Sequence, residues 1–161
     1  MPVVQNDEDL MRQAIEASRA ALAEGNMPFG AVLVDATGRQ RWTARNNQVS
    51  TGDCTGHAEM VLVREASARL GPQALRGGTV YASGEPCAMC AGAMFWAGIR
   101  RVVYAASQDA IAQALGAPVL PVRSEVVYAG AEPAVVVDGP LLAQEAIAVL
   151  KAAAVRGGTT G

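Results

Sequence analysis

One histidine and two closely spaced cysteines constrain this chain more than any other feature. His57 is the only histidine in 161 residues, and Cys87 and Cys90 are two of only three cysteines. An imidazole nitrogen and two thiolates are typical zinc ligands, and three protein ligands leave the fourth tetrahedral position open for water. Glu59 follows the histidine closely enough to exchange a proton with that water without binding the metal. The pattern predicts a catalytic zinc site.

Length, composition and charge limit the class of protein. A chain of 161 residues with 51% hydrophobic and 17% charged residues is typical of one globular domain, here residues 1–161. The net charge of −2 and the pI of about 5.4 disfavour tight binding to nucleic acid. The N-terminus lacks the features of a signal peptide, and no apolar run approaches the roughly 20 residues of a membrane span. Three cysteines, two of them in C-x-x-C, indicate a reducing compartment, which we expect to be the cytoplasm.

Hydrophobic periodicity predicts strands that alternate with helices. The predicted helices are 7–24, 57–70, one from Pro86 that is buried on all sides over 91–97, two short ones near 110–115 and 123–129, and one from Pro140. The predicted strands are 31–34, 40–49, 79–83, 101–105 and 134–137. This alternation indicates an α/β fold with three layers, α/β/α, and the opening hairpin makes the five-stranded sheet mixed. Residues 155–161 are expected to form a flexible tail.

Both ligand segments are predicted to begin helices that follow strands. Because Cys87 and Cys90 are three residues apart, one helical turn places both sulfurs on the same face. The positive end of a helix also favours thiolate over thiol. Spacing and local structure therefore agree on a single site with three ligands.

His57-Ala-Glu59 followed by Pro86-Cys-Ala-Met-Cys90 resembles the H-x-E…P-C-x-x-C signature of zinc-dependent nucleobase deaminases. The chain is similar to this cytidine deaminase-like superfamily from about residue 10 to residue 150. The other matching positions are 27–30, Asn46, Asp53 and 104–105. The resemblance implies a cytidine deaminase-like fold, one zinc ion per chain and a homodimer, to which the apolar helix around residues 94–96 would contribute.

Two branches of the superfamily compete for the substrate. The aromatic-Trp-Ala at Phe95-Trp96-Ala97 resembles the guanine and cytosine deaminases. Residues 135–150 are also similar to bacterial tRNA adenosine deaminases, but those enzymes need a basic face for the anticodon stem. The last helix here carries the only lysine of the chain, Lys151. We therefore expect a free nucleobase or a nucleoside as substrate, and a tRNA-specific adenosine deaminase is the alternative.

The resemblance also implies a mechanism and a set of substrate contacts. Zinc lowers the pKa of its bound water to about 7, and the resulting hydroxide attacks the amino-bearing ring carbon, with release of ammonia. Glu59 takes the proton of that water, passes it to a ring nitrogen and then assists the leaving amine. Asn46 and the backbone of Ala58 are expected to hydrogen-bond the base, and Phe29 and Trp96 to pack against its ring.

Several of these side chains have structural interpretations as well. Phe29 and Trp96 could equally be core residues, since large aromatic side chains usually bury their rings. Asn46 fits the end of a strand as a turn former. Asp53 is expected to brace the loop before His57 rather than to act in catalysis.

Cys54 leaves a different class of protein open. Together with His57, Cys87 and Cys90 it would complete a Cys₃His set, which is a closed structural zinc site without water. The protein would then be a zinc-stabilised binding module and not an enzyme. However, Cys54 lies in the loop before the helix, and a structural site has no use for Glu59.

Overall fold

The computed structural model of this chain describes residues 6–117 and 119–157. In this part of the chain the helices are α1 (Asp7–Ala23), α2 (Gln48–Thr51), α3 (Ala58–Leu70), α4 (Ala88–Ala97), α5 (Gln108–Leu115), α6 (Ser124–Val127) and α7 (Ala143–Gly157). The strands are β1 (Gly30–Val34), β2 (Gln40–Arg45), β3 (Thr79–Gly84), β4 (Arg101–Ala106) and β5 (Val136–Asp138). None of the described helices has the length and hydropathy needed to cross a bilayer.

The five strands form one mixed sheet in the order β2-β1-β3-β4-β5. β1 is antiparallel to both β2 and β3, whereas β4 is parallel to both β3 and β5. Gly30 pairs with Arg45, and Gly84 pairs with Ala106, so the start of β1 and the ends of β2, β3 and β4 lie at one edge of the sheet. The residues that follow β2, β3 and β4 are thereby brought together, and the mixed sheet expected from the sequence is confirmed.

Helices cover both faces of the sheet. On one face, α1, α5 and α7 pack around a core that includes Ile15, Val32 and Val149. On the other face, α3 and α4 pack around a second core that includes Leu33 and Met94. Val32 and Leu33 belong to different cores because successive side chains of a strand point to opposite faces. The three-layer α/β/α arrangement is therefore confirmed.

The start of α1 is tied to the sheet by an ionic network. The Arg101 guanidinium donates to Asp7 Oδ2 at 2.8 Å and to Asp138 Oδ2 at 2.8 Å, and the Tyr81 hydroxyl donates to Asp7 Oδ1 at 2.5 Å. Arg101, together with Tyr81, lowers the pKa of the Asp7 carboxyl to about 2. Asn6 caps the helix by accepting the Asp9 N–H at 2.9 Å, as its side-chain chemistry predicts.

Four sequence-based boundaries need correction. β2 ends at Arg45 rather than at residue 49, because Asn46 accepts the Gln48 N–H and the chain turns into α2. β5 covers Val136–Asp138 rather than 134–137. α7 begins at Ala143, three residues after Pro140, because Leu142 adopts a left-handed φ of 56°. α7 then continues to Gly157, so residues 155–157 are helical, and the remainder of the expected tail lies outside the described residues.

The predicted burial of α4 on all sides is also wrong. The inner face of this helix is buried through Cys90, Ala91 and Met94. On the outer face the Trp96 side chain is 84% exposed, because no other element of the described chain covers it.

Candidate active site

His57 and Cys87 occupy equivalent positions, since they are the N-cap residues of α3 and α4 and have extended backbones. Neither side chain caps its own helix, so both can turn toward a shared point. His57 Nδ1 lies 3.6 Å from Cys87 Sγ and 3.5 Å from Cys90 Sγ, and the two sulfurs are 3.6 Å apart. The structure therefore brings together the three side chains that the sequence predicted.

These three separations fit a tetrahedral zinc ion. Zn–S bonds of about 2.3 Å and a Zn–N bond of about 2.0–2.1 Å place two sulfurs about 3.8 Å apart and sulfur and nitrogen about 3.6 Å apart. Cys54 is exposed and does not belong to the cluster, which contains His57, Cys87 and Cys90. The fourth ligand of a closed Cys₃His site is therefore missing, and the arrangement is that of an open, catalytic zinc site.

The two cysteines differ in their affinity for a proton. The pKa of the Cys87 thiol falls to about 4, because Cys90 and then His57 stabilise its thiolate by hydrogen bonding. The pKa of Cys90 rises, because its hydrogen bond with Cys87 and its burial both favour the neutral thiol. The pKa of His57 is also raised, chiefly by its hydrogen bond with Cys87. Because metal binds to thiolates, zinc would displace the proton that the pair retains.

Glu59 lies in the first turn of α3 and is only 5% exposed. Burial, reinforced by the nearby charge of Cys87, raises the pKa of this carboxyl to about 7. A carboxyl with a pKa near neutrality can both accept and donate a proton under physiological conditions. Glu59 is not one of the three ligands, so it is free to exchange protons with a group beside the metal.

A cavity of about 440 Å³ opens at the metal cluster. His57, Glu59 and Cys87 contribute to its wall. The apolar part of the wall includes Met27, Phe29, Met89, Ile111, Leu115 and Leu120, and the polar part includes Asn46, Gln48, Glu85 and Gln108. A volume of this size and a mainly apolar lining with a few polar groups are typical of sites for small molecules.

Two of the predicted substrate-binding residues line this cavity. Asn46 is buried at the end of β2, where its Nδ2 donates to Gln48 Oε1 at 2.7 Å and its backbone N–H donates to the Phe29 carbonyl at 3.0 Å. Phe29 packs beside Gly84, where a Cβ atom would lie only 2.7 Å from its ring. Asp53 accepts both the backbone N–H and the hydroxyl of Thr55, and so it braces the loop before His57 as expected.

The other two predicted substrate-binding residues contribute no side chain to the cavity wall. Ala58 is completely buried at the start of α3, and its side chain is not part of the cavity wall. Trp96 lies outside the cavity and outside both cores, and its ring makes an edge contact with Phe95 at 5.0 Å between centroids. Within one chain, the expected contact between Trp96 and the base is therefore not made.

Sequence reasoning missed a polar cluster on the cavity wall. The Glu85 carboxylate accepts the backbone N–H groups of Gln108 and Ser124, each at 3.0 Å, and the Arg123 Nε at 2.8 Å. The first residues of α5 and α6 are therefore both hydrogen-bonded to the Glu85 carboxylate. The position of Glu85 immediately before Pro86 and Cys87 was the available signal, but its partners lie far along the chain.

Comparison with known proteins places the chain in a family. Residues 4–106 match the family described as the cytidine and deoxycytidylate deaminase zinc-binding region, and the chain belongs to this family. It is 37% identical over 147 residues to a probable cytosine deaminase of Schizosaccharomyces pombe, and this alignment covers 89% of each chain. It is 39% identical over 101 residues to the tRNA-specific adenosine deaminase of Haemophilus influenzae, which covers 63% of this chain and 58% of that one.

A solved structure agrees with these relationships. The guanine deaminase from Nitrosomonas europaea superposes with a TM-score of 0.82 at 28% identity, which covers 96% of this chain and 87% of that one. The cytidine deaminase-like fold and the zinc dependence expected from the resemblance are thus confirmed. The protein is a zinc-dependent hydrolase of the deaminase class, which acts on C–N bonds.

Proposed function

We propose that this enzyme deaminates a free nucleobase of the guanine or cytosine type. The observation that carries the proposal is the position of Glu59, a buried carboxyl in the first turn of α3, on the cavity wall beside an open three-ligand metal site. Both face a cavity of about 440 Å³, which suits one small planar molecule. Similarity to a probable cytosine deaminase along 89% of both chains supports the same substrate class.

The residues of the cavity divide the work of the reaction. When bound, zinc supplies the Lewis acidity that makes water a nucleophile at neutral pH. Glu59 accepts a proton from the attacking water, delivers it to a ring nitrogen of the base and then helps to protonate the departing amine. Asn46 and the backbone of Ala58 hold the polar edge of the base, and Phe29 packs against its ring. The mainly apolar wall keeps bulk water away from the reacting carbon.

A tRNA-specific adenosine deaminase is the second candidate, which the similarity to the Haemophilus influenzae enzyme favours. The net charge of −2 disfavours a tRNA substrate, because contacts with several RNA phosphates require clustered Lys and Arg side chains. Binding to a tRNA stem-loop that persists at physiological salt would therefore favour this candidate over the free base.

We also propose a cytoplasmic homodimer. The large apolar side chain of Trp96 is 84% exposed on the outer face of α4, and an unshielded aromatic ring of this kind is typical of a contact surface. None of the three cysteines is part of a disulfide, which fits a reducing compartment such as the cytoplasm.

An ammonia-release assay with the zinc-loaded protein tests the proposed reaction. Guanine, cytosine, their nucleosides and an adenosine-containing tRNA stem-loop are compared at equal enzyme concentration. We expect release from guanine or cytosine, and at least about a hundredfold slower release with Glu59→Gln. Conversion of adenosine in the stem-loop, without turnover of either free base, would overturn the proposal.

A further inference from the structure

The amide of Gln108 has a fixed orientation on the cavity wall. Gln108 is the first residue of α5 and is 4% exposed. Its Nε2 donates to the carbonyl oxygens of Pro86 at 3.1 Å and Val122 at 2.8 Å. An amide nitrogen has two hydrogens to donate, and both are engaged here with groups that can only accept. The two carbonyls thus determine which end of the amide is oxygen.

The oxygen of this amide is left without a partner. Among the residues that the structure describes, Gln108 Oε1 is the one buried side-chain nitrogen or oxygen without a hydrogen bond. Buried polar atoms are nearly always paired, because leaving a desolvated acceptor unpaired costs free energy. Gln108 is one of the residues that line the cavity at the metal cluster, but its oxygen is shielded from solvent in the free protein. A molecule bound in the cavity can supply the missing donor by displacing part of that cover.

Gln108 is also anchored rigidly to the metal-binding segment. Its backbone N–H donates to Glu85 Oε1 at 3.0 Å, and its side chain donates to the Pro86 carbonyl. Glu85 and Pro86 directly precede Cys87, which is one of the three metal ligands. Both the backbone and the side chain of Gln108 are therefore held in a constant position relative to the metal.

We propose that Gln108 Oε1 accepts a hydrogen bond from a ring N–H of the base, which makes Gln108 a specificity-determining residue. Guanine and cytosine each carry at least one ring N–H besides the amino group that leaves. An acceptor that is desolvated and unpaired before binding favours a ligand with the matching donor, because only that ligand gains the hydrogen bond. This inference rests on the proposed function, since it concerns the same cavity and the same class of substrate.

The first test compares Gln108→Met with Gln113→Met in the zinc-loaded protein. Gln113 is an exposed residue of the same helix and lies outside the cavity wall, so it controls for the substitution itself. On whichever of guanine and cytosine is turned over faster, Gln108→Met should raise KM at least about tenfold, the factor for about 1.4 kcal/mol. Its kcat should remain within about threefold, with zinc content unchanged. Equal KM values for the two variants would overturn the proposal.

A second test separates a substrate contact from a structural role. N-methyl analogues of the same base each remove one ring N–H, and their inhibition constants are measured with both the native protein and Gln108→Met. The native protein should bind one analogue at least about tenfold more weakly than the parent base. For Gln108→Met, the same analogue and the parent base should differ by less than about threefold. If Gln108 only supports the Val122 segment, the substitution weakens every analogue equally, and the proposal fails.

A structure of the native protein with the bound base keeps the proposal testable if Gln108→Met does not fold. A ring nitrogen within about 3.2 Å of Gln108 Oε1 is expected, and a water molecule in that position would overturn the inference. Lack of turnover of both bases by the native protein would instead remove the proposed function, and this inference with it. Turnover without the Gln108 effects would remove the inference alone.

Discussion

Glu85 and Arg123, which lie 38 residues apart in the sequence, form a salt bridge of 2.8 Å in which the Glu85 side chain is 1% exposed and that of Arg123 is 32% exposed. The same carboxylate holds the first N–H groups of α5 and α6. A buried carboxylate with three donors thereby joins the segment after β4 to the metal-binding turn. The shape of the cavity wall on this side depends on Glu85.

Glu85→Gln should destabilise the protein and disturb the cavity. The substitution removes the charge opposite Arg123 and replaces one acceptor by a donor that faces N–H groups. We expect the free energy of unfolding to fall by about 2–3 kcal/mol, in the range for buried hydrogen bonds to charged groups. Urea unfolding of the zinc-loaded protein measures this change. Glu125→Gln, an exposed position in α6, is the control, and equal stability of the two variants would refute a structural role for Glu85.

Glu59→Gln should abolish most of the activity but leave the metal in place. The amide cannot take up and release a proton, and the loss of one general acid–base group lowers the rate by about 10²–10⁴-fold. Steady-state kinetics and zinc analysis of the same preparation give both quantities. Glu65→Gln, an exposed position on the same helix, should keep normal activity. Loss of zinc in Glu59→Gln would show that this residue is a ligand.

Cys54→Ser and Cys90→Ser should have opposite effects on metal content. Cys54 is exposed and lies outside the cluster, so its substitution should leave one zinc ion per chain and normal turnover. Cys90 is a buried member of the cluster, and its substitution should remove the zinc ion and the activity. Elemental analysis after dialysis distinguishes the variants. Loss of zinc from Cys54→Ser would instead support the alternative of a closed structural zinc site that includes Cys54.

Asp7 should contribute to stability only above the acid range. Its pKa is lowered from 3.8 to about 2 in the folded protein, chiefly by Arg101, so the folded state favours the charged carboxylate. The contribution is complete above pH 3.8 and disappears as the pH falls toward 2. Because the side chain is 43% exposed, we expect about 1 kcal/mol or less.

Urea unfolding of native protein and Asp7→Asn measures this pH dependence. The stability difference between the two should be largest near neutral pH. It should shrink between pH 4 and pH 2, because the Asp7 carboxylate of the native protein becomes protonated there. A difference that stays constant over this range would show that Asp7 is not stabilised as a carboxylate.

Trp96→Ala should weaken self-association without a large loss of stability within one chain. The ring is 84% exposed, and surface substitutions usually change stability by about 0.5 kcal/mol or less. Sedimentation equilibrium of the native protein should show a dimer, and the variant should dissociate at higher protein concentration. Val155→Ala, another exposed apolar position, is the control. A native protein that remains monomeric would contradict the proposed dimer.

The metal site could be predicted from the sequence because its information is local and chemically specific. Cys87 and Cys90 fall within one helical turn, and His57 has no competing histidine in the chain. The layers and the sheet followed from periodicity for a similar reason, because the hydrophobic repeat of each element depends only on which face it buries.

The rest of the cavity depends on contacts that no local pattern records. Gln108 and Glu85 are ordinary polar residues whose partners lie 14 to 39 residues away. The period of α4 shows an apolar helix, but it does not show whether another element covers Trp96. The end of β2 was missed because Asn46 turns the chain by a side-chain hydrogen bond, which overrides the strand propensity of the following residues.

The absence of a side chain at Gly84 determines the width of the cavity. A Cβ atom there would lie 2.7 Å from Phe29 Cε1 and 3.0 Å from Ile111 Cδ1, so even alanine would force the aromatic ring to move. Glycine at position 84 thus leaves the cavity wide at this point. A larger residue would narrow the cavity, and a fused bicyclic ring would lose more space than a single ring. One methyl group at the end of a strand would therefore change the shape of the cavity without any change at the metal ligands.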